Sequence, residues 1–125
     1  MPNQISKPNS TGPTDFERRQ IERQMQIFLQ NVVPVNYRGP GDIRYRLDQW
    51  NIELFEVQAH PVYRQRGVRL PLALIRCDGR GQPWRLLFRG EQGHWREYPV
   101  TEQQPFLRLD AALAELESDK YGVFW

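Results

Sequence analysis

The stretch from Pro83 to Tyr98 constrains the fold most, because it predicts a β-hairpin. It reads Pro-Trp-Arg-Leu-Leu-Phe-Arg, then Gly-Glu-Gln-Gly, then His-Trp-Arg-Glu-Tyr. Two runs rich in apolar and aromatic residues flank a four-residue loop with a glycine at each end. This pattern is typical of antiparallel strands joined by a short loop. The helices and the other strands need an apolar surface of this kind to pack against.

Length and composition indicate one domain without a membrane span. The chain has 125 residues and a mean hydropathy of −0.72, and it lacks the run of about 18 apolar residues that a transmembrane helix requires. Its single cysteine, Cys77, excludes an internal disulfide and fits a reducing compartment. We therefore expect a cytoplasmic protein that does not enter membranes.

Two amphipathic helices frame the predicted strands. Thr14-Asp-Phe-Glu17 is a capping box, and the apolar residues that follow it are spaced as one helical stripe that ends before Pro34. A second stripe begins at Leu109 and ends near Ser118, although its first turn is poorly capped. Residues 1–13 contain three prolines and few apolar side chains, so we predict a disordered tail, with the folded domain at 14–125.

Alternating or apolar segments predict three further strands, at 43–48, 52–59 and 68–77. The second has apolar residues on both faces, which indicates either a β-bulge near Leu54 or burial on both sides. In the third, Val68, Leu70, Leu72 and Leu74 fall on one face, and Pro71 removes a ladder donor. Short connections between consecutive strands predict a five-stranded antiparallel meander. With both helices on one sheet face, the fold class is α+β.

The end of the chain, Asp119-Lys-Tyr-Gly-Val-Phe-Trp125, contains three aromatic residues among its last five. Solvation of so much apolar surface is unfavourable. We therefore expect this segment to fold back against the sheet or the second helix, although its aromatic residues are also an alternative surface for a protein partner.

Several motifs occur in the order found in a known family. They are Leu54-Phe-Glu-Val57, a strand beginning at Trp84, Trp95-Arg-Glu-Tyr98 and Asp119-Lys-Tyr-Gly-Val-Phe124. From about Thr14 to Trp125 the chain resembles the bacterial domain-of-unknown-function family 3024. It departs where members often have Trp-His-Arg-Tyr, because Arg96 and Glu97 fill the middle positions here. The resemblance implies a small, soluble bacterial protein, and it carries no catalytic residues.

The residue types disfavour most catalytic chemistries. Two histidines and Cys77 supply three metal ligands at unrelated spacings, whereas a structural zinc site needs about four. We therefore expect no metal and no cofactor. Weaker alternatives are a dyad of Cys77 with a histidine and a carboxylate pair drawn from Glu53, Glu56 and Glu97. We expect Glu97 to pair with Arg85 across two strands instead.

Arginine supplies most of the positive charge, since Lys7 and Lys120 are the only lysines among 17 basic residues. Strand alternation places five arginines opposite the apolar side chains of their own strands. If the helices cover the apolar face, these five form an exposed basic face that could bind phosphates or stack on bases. The candidate ligand-binding residues are Arg44, Arg46, Arg69, Arg85 and Arg89.

We therefore predict a non-enzymatic module that binds a polyanion, either nucleic acid or an acidic protein. The formal net charge of only +2 favours a simpler interpretation, in which Asp48, Glu53 and Glu97 neutralise a solvated face. A small enzyme of the ribonuclease-toxin type is an alternative, since arginine can stabilise phosphoryl charge without a metal. A third alternative is a protein partner bound through the C-terminal aromatic residues or an unpaired strand edge.

Overall fold

A computed structural model describes residues 12–63, 66–99 and 104–125. The order of elements is α1 (Asp15–Asn31), α2 (Val33–Asn36), β1 (Asp42–Asp48), β2 (Asn51–Ala59), β3 (Gly67–Cys77), β4 (Trp84–Arg89), β5 (Trp95–Glu97) and α3 (Leu109–Ser118). The strands form one antiparallel sheet in the order β1-β2-β3-β4-β5. This confirms the predicted α+β meander. Apart from Gly12 and Pro13, the predicted disordered tail lies outside the described residues.

Helix α1 begins at the predicted capping box. The Thr14 hydroxyl accepts the N–H of Glu17 at 3.1 Å, and the Glu17 carboxylate accepts the N–H of Thr14 at 2.9 Å. The buried residues of this helix are Ile21, Met25 and Phe28, which confirms the apolar stripe. Among the described residues, every helix is too short or too polar to span a bilayer.

Helix α1 ends before Pro34 as predicted, but Pro34 does not end helical structure, because Val33–Asn36 forms one further helical turn. Proline is tolerated in a first helical turn, where its missing N–H would have no intrahelical partner. The turn closes when the N–H of Tyr37 donates to the carbonyl of Val33 at 2.9 Å.

Both longer helices pack on the same face of the sheet. Leu54 and Ile75 on the central strands are fully buried in one core with Met25 of α1 and Leu116 of α3. Tyr98, just after β5, is also fully buried there. Burial of a large apolar side chain contributes about 1.5–3 kcal/mol, so this shared core fixes α1 and α3 against one sheet face, and these two helices leave the other face uncovered.

The structure contains a β-bulge opposite β2, the strand with apolar residues on both faces, but the bulge is in β3. Leu54 pairs with Ala73 and Phe55 pairs with Pro71, so Leu72 is the extra residue. The pairing of β1 with β2 has no shift, so Leu54 and Phe55 point to opposite faces of the sheet. Phe55 is nevertheless buried, with 4% of its surface exposed. The apolar residues of β2 are therefore buried on both faces, and the bulge lies in the neighbouring strand.

The same bulge makes the predicted single apolar face of β3 wrong. Leu74 pairs with Glu53, whereas Leu70 pairs with Glu56, and these two partners lie on opposite faces of β2. The inward residues of β3 after the bulge are Ala73, Ile75 and Cys77, all buried. Pro71, which lacks a ladder donor, has no partner on β4, because β4 pairs with β3 only from Ala73 onward.

The C-terminal segment folds back as predicted. The Asp119 carboxylate accepts the backbone N–H groups of Val123, Phe124 and Trp125 at 2.8–3.2 Å. The indole N–H of Trp125 donates to the carbonyl of Leu116 at 2.9 Å, and Phe124 is buried in the core. These contacts make the segment part of the folded domain.

Candidate functional site

The sheet face that the helices leave uncovered, called the open face below, contains all five predicted arginines. Register places Arg44 beside Phe55 and Arg46 beside Glu53, and it places Arg69 beside Val57. Arg85 and Arg89 lie on the same face of β4, in alternation with the buried Trp84 and Leu86. The charged residues that the strands place on this face are Arg44, Arg46, Arg69, Arg76, Arg85, Arg89, Asp42, Asp48, Glu53 and Glu97.

Three of the predicted arginines form ion pairs on the open face. A terminal nitrogen of Arg85 lies 2.7 Å from the Glu97 carboxylate, which confirms the expected cross-strand pair. Arg46 lies 3.3 Å from Glu53, and Arg44 lies 3.5 Å from Asp42 on its own strand. Such exposed pairs contribute little to stability, because water and salt screen them. They lower the local positive charge without burying the guanidinium groups.

The other two predicted arginines stack on aromatic rings. The guanidinium carbon of Arg69 lies 4.5 Å from the centre of the Phe55 ring. The corresponding distance from Arg89 to Trp95 is 5.4 Å. A guanidinium stacked in this way keeps its donor edge available for an anion, since the interaction uses the face of the group. Nothing in the strand pattern indicated that aromatic rings would lie beneath these arginines.

A sixth arginine, Arg76, lies on the open face and is absent from the predicted set. Arg76 pairs with Asn51 on β2 and with Arg85 on β4, so two arginines are direct neighbours there. Simple alternation from Val68 assigns Arg76 to the buried face, and the extra residue in β3 reverses that assignment. No ion pair among the described residues involves Arg69, Arg76 or Arg89.

A groove of about 220 Å³ lies on the open face beside Arg76. Its lining includes Arg46 and Arg76 with Asp48, Asn51 and Glu53. Carboxylates therefore share the groove with the guanidinium groups. In total, the strands contribute six arginines and four carboxylates to the open face, which leaves a small positive excess. Of the three carboxylates expected to neutralise this face, Glu53 and Glu97 pair with arginines, whereas Asp48 forms no ion pair among the described residues.

The weaker catalytic alternatives find little support in the geometry. The Cys77 thiol is buried and donates to the carbonyls of Gly79 and Gln82 at 3.0 and 3.3 Å. Burial raises the pKa of this thiol, which opposes formation of a nucleophilic thiolate. The Nδ1 atom of His60 accepts the N–H groups of Val62 and Tyr63. The Cys77 thiol and the His60 imidazole are therefore each hydrogen-bonded to backbone groups of nearby residues.

Carboxylate and metal chemistry are similarly unsupported within residues 12–63, 66–99 and 104–125. No group of three or more histidine, cysteine, aspartate or glutamate side chains there is placed to hold a metal ion. Glu53 and Glu56 lie on opposite faces of β2, and Glu97 is paired with Arg85. A catalytic carboxylate pair from these three residues is therefore not assembled.

An apolar concavity lies away from the open face, between α1 and α3. It has a volume of about 340 Å³, and Ile27, Phe28, Val32 and Leu113 contribute to its lining. Asp110 and Glu117 are the charged residues of this lining, which includes no basic or nucleophilic side chain. The open face therefore remains the candidate site, since it has both the charge and the planar groups that recognise a ligand.

The family model of a domain of unknown function, DUF3024, matches residues 13–125. The chain belongs to this family. The match covers both helices and the whole sheet, so the DUF3024 domain and the folded unit coincide. Comparison with curated proteins and with solved structures finds no match. An inference about the function of this DUF3024 domain therefore depends on its own geometry.

Proposed function

We propose that this DUF3024 protein is a non-enzymatic binding module that uses its open face to hold a polyanion, and that the polyanion is single-stranded nucleic acid. The observation that supports this most directly is the convergence of six arginines from three strands on the sheet face opposite α1 and α3. The single buried cysteine supports a reducing compartment, the bacterial cytoplasm, as its location.

The stacked arginines favour nucleic acid over a simple anion. A guanidinium plane or an aromatic ring can stack on an unpaired base, while guanidinium edges bind the phosphates. Arg69 on Phe55 and Arg89 on Trp95 provide two such stacks on one surface. Because every base has a flat face, binding of this kind tolerates different sequences. We expect little dependence on base identity.

The small positive excess on the open face limits the expected affinity for nucleic acid. Few phosphates can be neutralised while Arg85 and Arg46 remain bound to carboxylates. About three phosphate contacts would give a slope near −2 for log K against log salt, at ~0.7 per contact on a single strand. Binding is therefore expected to be weak and to disappear as the salt concentration rises.

Fluorescence anisotropy of a labelled, mixed-sequence single-stranded oligonucleotide at low salt tests the proposal. Substitution of Arg44 and Arg76 by alanine should weaken binding severalfold, and it leaves the Arg85–Glu97 pair intact. The matched control, Arg19→Ala with Arg23→Ala, removes the same charge from exposed positions on α1. It should bind like the wild type.

Two results would overturn the proposal. One is a wild type that does not bind at ~100 μM protein, a concentration at which non-specific nucleic-acid binding is ordinarily visible. The other is an equal loss in the α1 control, which would place binding elsewhere. Binding of poly-glutamate without binding of the oligonucleotide would indicate an acidic protein as the ligand. Cleavage of the oligonucleotide on a gel would support the ribonuclease alternative.

A further inference from the structure

Strand β1 is an edge strand whose outer side has no strand partner among the described residues. The N–H of Cys77 donates to the carbonyl of Trp50 at 3.3 Å. Asn51 and Arg76 therefore form a non-hydrogen-bonded pair, and the backbone groups of Asn51 point toward β1. Asp48 lies opposite Asn51, so its backbone groups point toward β2. Because the direction of the backbone groups alternates along a strand, the N–H and C=O groups of Ile43, Tyr45 and Leu47 point away from β2, toward the outer edge.

The sequence of this edge reads alike in both directions. From Asp42 to Asp48 it is Asp-Ile-Arg-Tyr-Arg-Leu-Asp, so each residue class recurs at the same distance from Tyr45. An antiparallel copy presents this sequence reversed, as a two-fold axis requires. Charged side chains on an edge strand usually prevent such pairing. Here the effect of the charges on pairing depends on the register, because β1 has a negative side chain at each end and two positive side chains near its centre.

Register decides which charges meet. An axis at Tyr45 would place Arg44 opposite Arg46 of the second copy and Asp42 opposite Asp48, and like charges directly opposite are destabilising. An axis at Arg46 places Asp48 opposite Arg44 of the second copy, twice by symmetry. Asp48 belongs to no ion pair among the described residues, and Arg44 has only the 3.5 Å contact with Asp42.

The axis at Arg46 also suits the remaining groups. Tyr45 faces Leu47 of the second copy, and both have outward backbone groups, so these two pairs can form about four backbone hydrogen bonds. Arg46 then meets its own copy across the axis, but each guanidinium has Glu53 at 3.3 Å to offset the repulsion. An axis at Arg44 would instead require Asp42 to compete with Glu53 for Arg46.

We propose that two copies of this chain pair through β1 in antiparallel fashion, with the two-fold axis at Arg46, to form one continuous ten-stranded sheet. The proposal does not depend on nucleic-acid binding. It does make the two open faces contiguous, since the sheet continues through the axis. An interface made by one strand edge is small, and such interfaces are typically weak.

Sedimentation velocity without nucleic acid, over a series from about 1 μM to about 500 μM, tests the proposal because these concentrations bracket weak dimer affinities. The wild type should shift toward a dimer as concentration rises. Asp48→Arg and Arg44→Asp should each remain monomeric, because each places two like-charged pairs across the interface. Both positions are exposed, so folding should be retained, as circular dichroism can verify.

Mixing the two variants provides the sharpest result. In the mixed pair, the arginine introduced at position 48 of one chain would face the aspartate introduced at position 44 of the other. The unchanged Arg44 of the first chain would face the unchanged Asp48 of the second. Two opposite-charge pairs then form, and a heterodimer should appear. A monomeric wild type at the highest concentration, or a mixture that stays monomeric, would overturn the proposal.

The matched control is Asp42→Arg, the same change at the other end of the strand. With the axis at Arg46, position 42 lies beyond the pairs that join the two copies, so this variant should dimerise like the wild type. A monomeric Asp42→Arg variant would contradict the axis at Arg46.

Discussion

Arg80 donates two hydrogen bonds to the Glu17 carboxylate, one from each of two guanidinium nitrogens to a different oxygen, both at 2.7 Å. The pair joins the first turn of α1 to the turn between β3 and β4. Glu17 also accepts the N–H of Thr14 in the capping box. The hydrogen bond from Arg80, followed by that from Thr14, lowers the pKa of Glu17 to about 2.

Acid should therefore destabilise the domain through Glu17. A carboxyl whose folded pKa is depressed contributes stability that is present above its unfolded pKa, about 4.5. That stability is lost as the pH falls toward 2, because the unfolded state takes up the proton first. In Glu17→Gln, the amide still accepts the Thr14 N–H but does not titrate, so the decline between about pH 4.5 and 2 should be shallower.

Urea denaturation at a series of pH values measures this slope. Glu22→Gln, on the exposed side of α1 beside Arg18, controls for the loss of a helix carboxylate. Arg80→Ala should also flatten the decline, because it removes the principal cause of the low pKa. Identical acid slopes for Glu17→Gln and the wild type would show that the ion pair does not persist in solution.

At the other end of the pH range, Tyr98 should limit stability. Burial, followed by the hydrogen bond from its hydroxyl to Glu115 at 2.9 Å, raises the pKa of Tyr98 well above its usual value near 10. Stability is complete below the unfolded pKa and falls as the pH rises above it, because only the unfolded tyrosine ionises there. Tyr98→Phe should weaken this alkaline dependence.

The Tyr98→Phe variant should also lose about 1 kcal/mol at neutral pH, the usual net contribution of one hydrogen bond. Thermal unfolding from neutral to strongly alkaline pH measures both effects, with Tyr63→Phe as the control for an exposed tyrosine. An alkaline decline in Tyr98→Phe as steep as that of the wild type would contradict the assignment to Tyr98.

The Asp119 carboxylate should be a main stabiliser of the C-terminal segment. Asp119 has φ 42°, in the left-handed region that asparagine tolerates better than most residues. Asp119→Ala should cost about 1.5–3 kcal/mol, since it removes the charged acceptor of three backbone N–H groups. Asp119→Asn keeps the backbone preference and one acceptor, so its loss should be smaller. Equal urea midpoints for the alanine variant and the wild type would exclude this role.

The thiol of Cys77 should be nearly inert in the folded protein. It is 7% exposed, and burial raises its pKa, so both access and the thiolate fraction are low. A colourimetric thiol reagent at mildly alkaline pH should label the native protein far more slowly than the urea-unfolded protein, whose rate should approach that of glutathione. Equal native and unfolded rates would show that the turn at Gly79 opens freely.

Local patterns predicted the parts of the fold that depend on local physics. The capping box at Thr14 and the apolar stripe that begins at Leu109 are set within a few residues of the chain, and both agree with the structure. The hairpin that begins at Trp84 was predicted for the same reason. In each case, neighbouring residues determine the backbone conformation without reference to distant strands.

The composition of the open face could not be predicted in the same way. Alternation before the bulge places Arg69 on the open face, and only the extra residue Leu72 brings Arg76 to that face as well. Which strand contains the extra residue depends on its partner, so a single strand's pattern does not reveal it. The ring of Phe55 beneath Arg69 follows from the same pairing and was missed for the same reason.

The position of Phe124 has a consequence for folding during synthesis. This side chain enters the core beside Tyr98 and Phe88, with ring centres 5.5 and 6.4 Å apart. A ribosome makes residue 124 after every strand of the sheet has been completed. The nascent chain can therefore pair all five strands before Phe124 exists, whereas the contacts of Phe124 with Tyr98 and Phe88 can form only after residue 124 has left the exit tunnel.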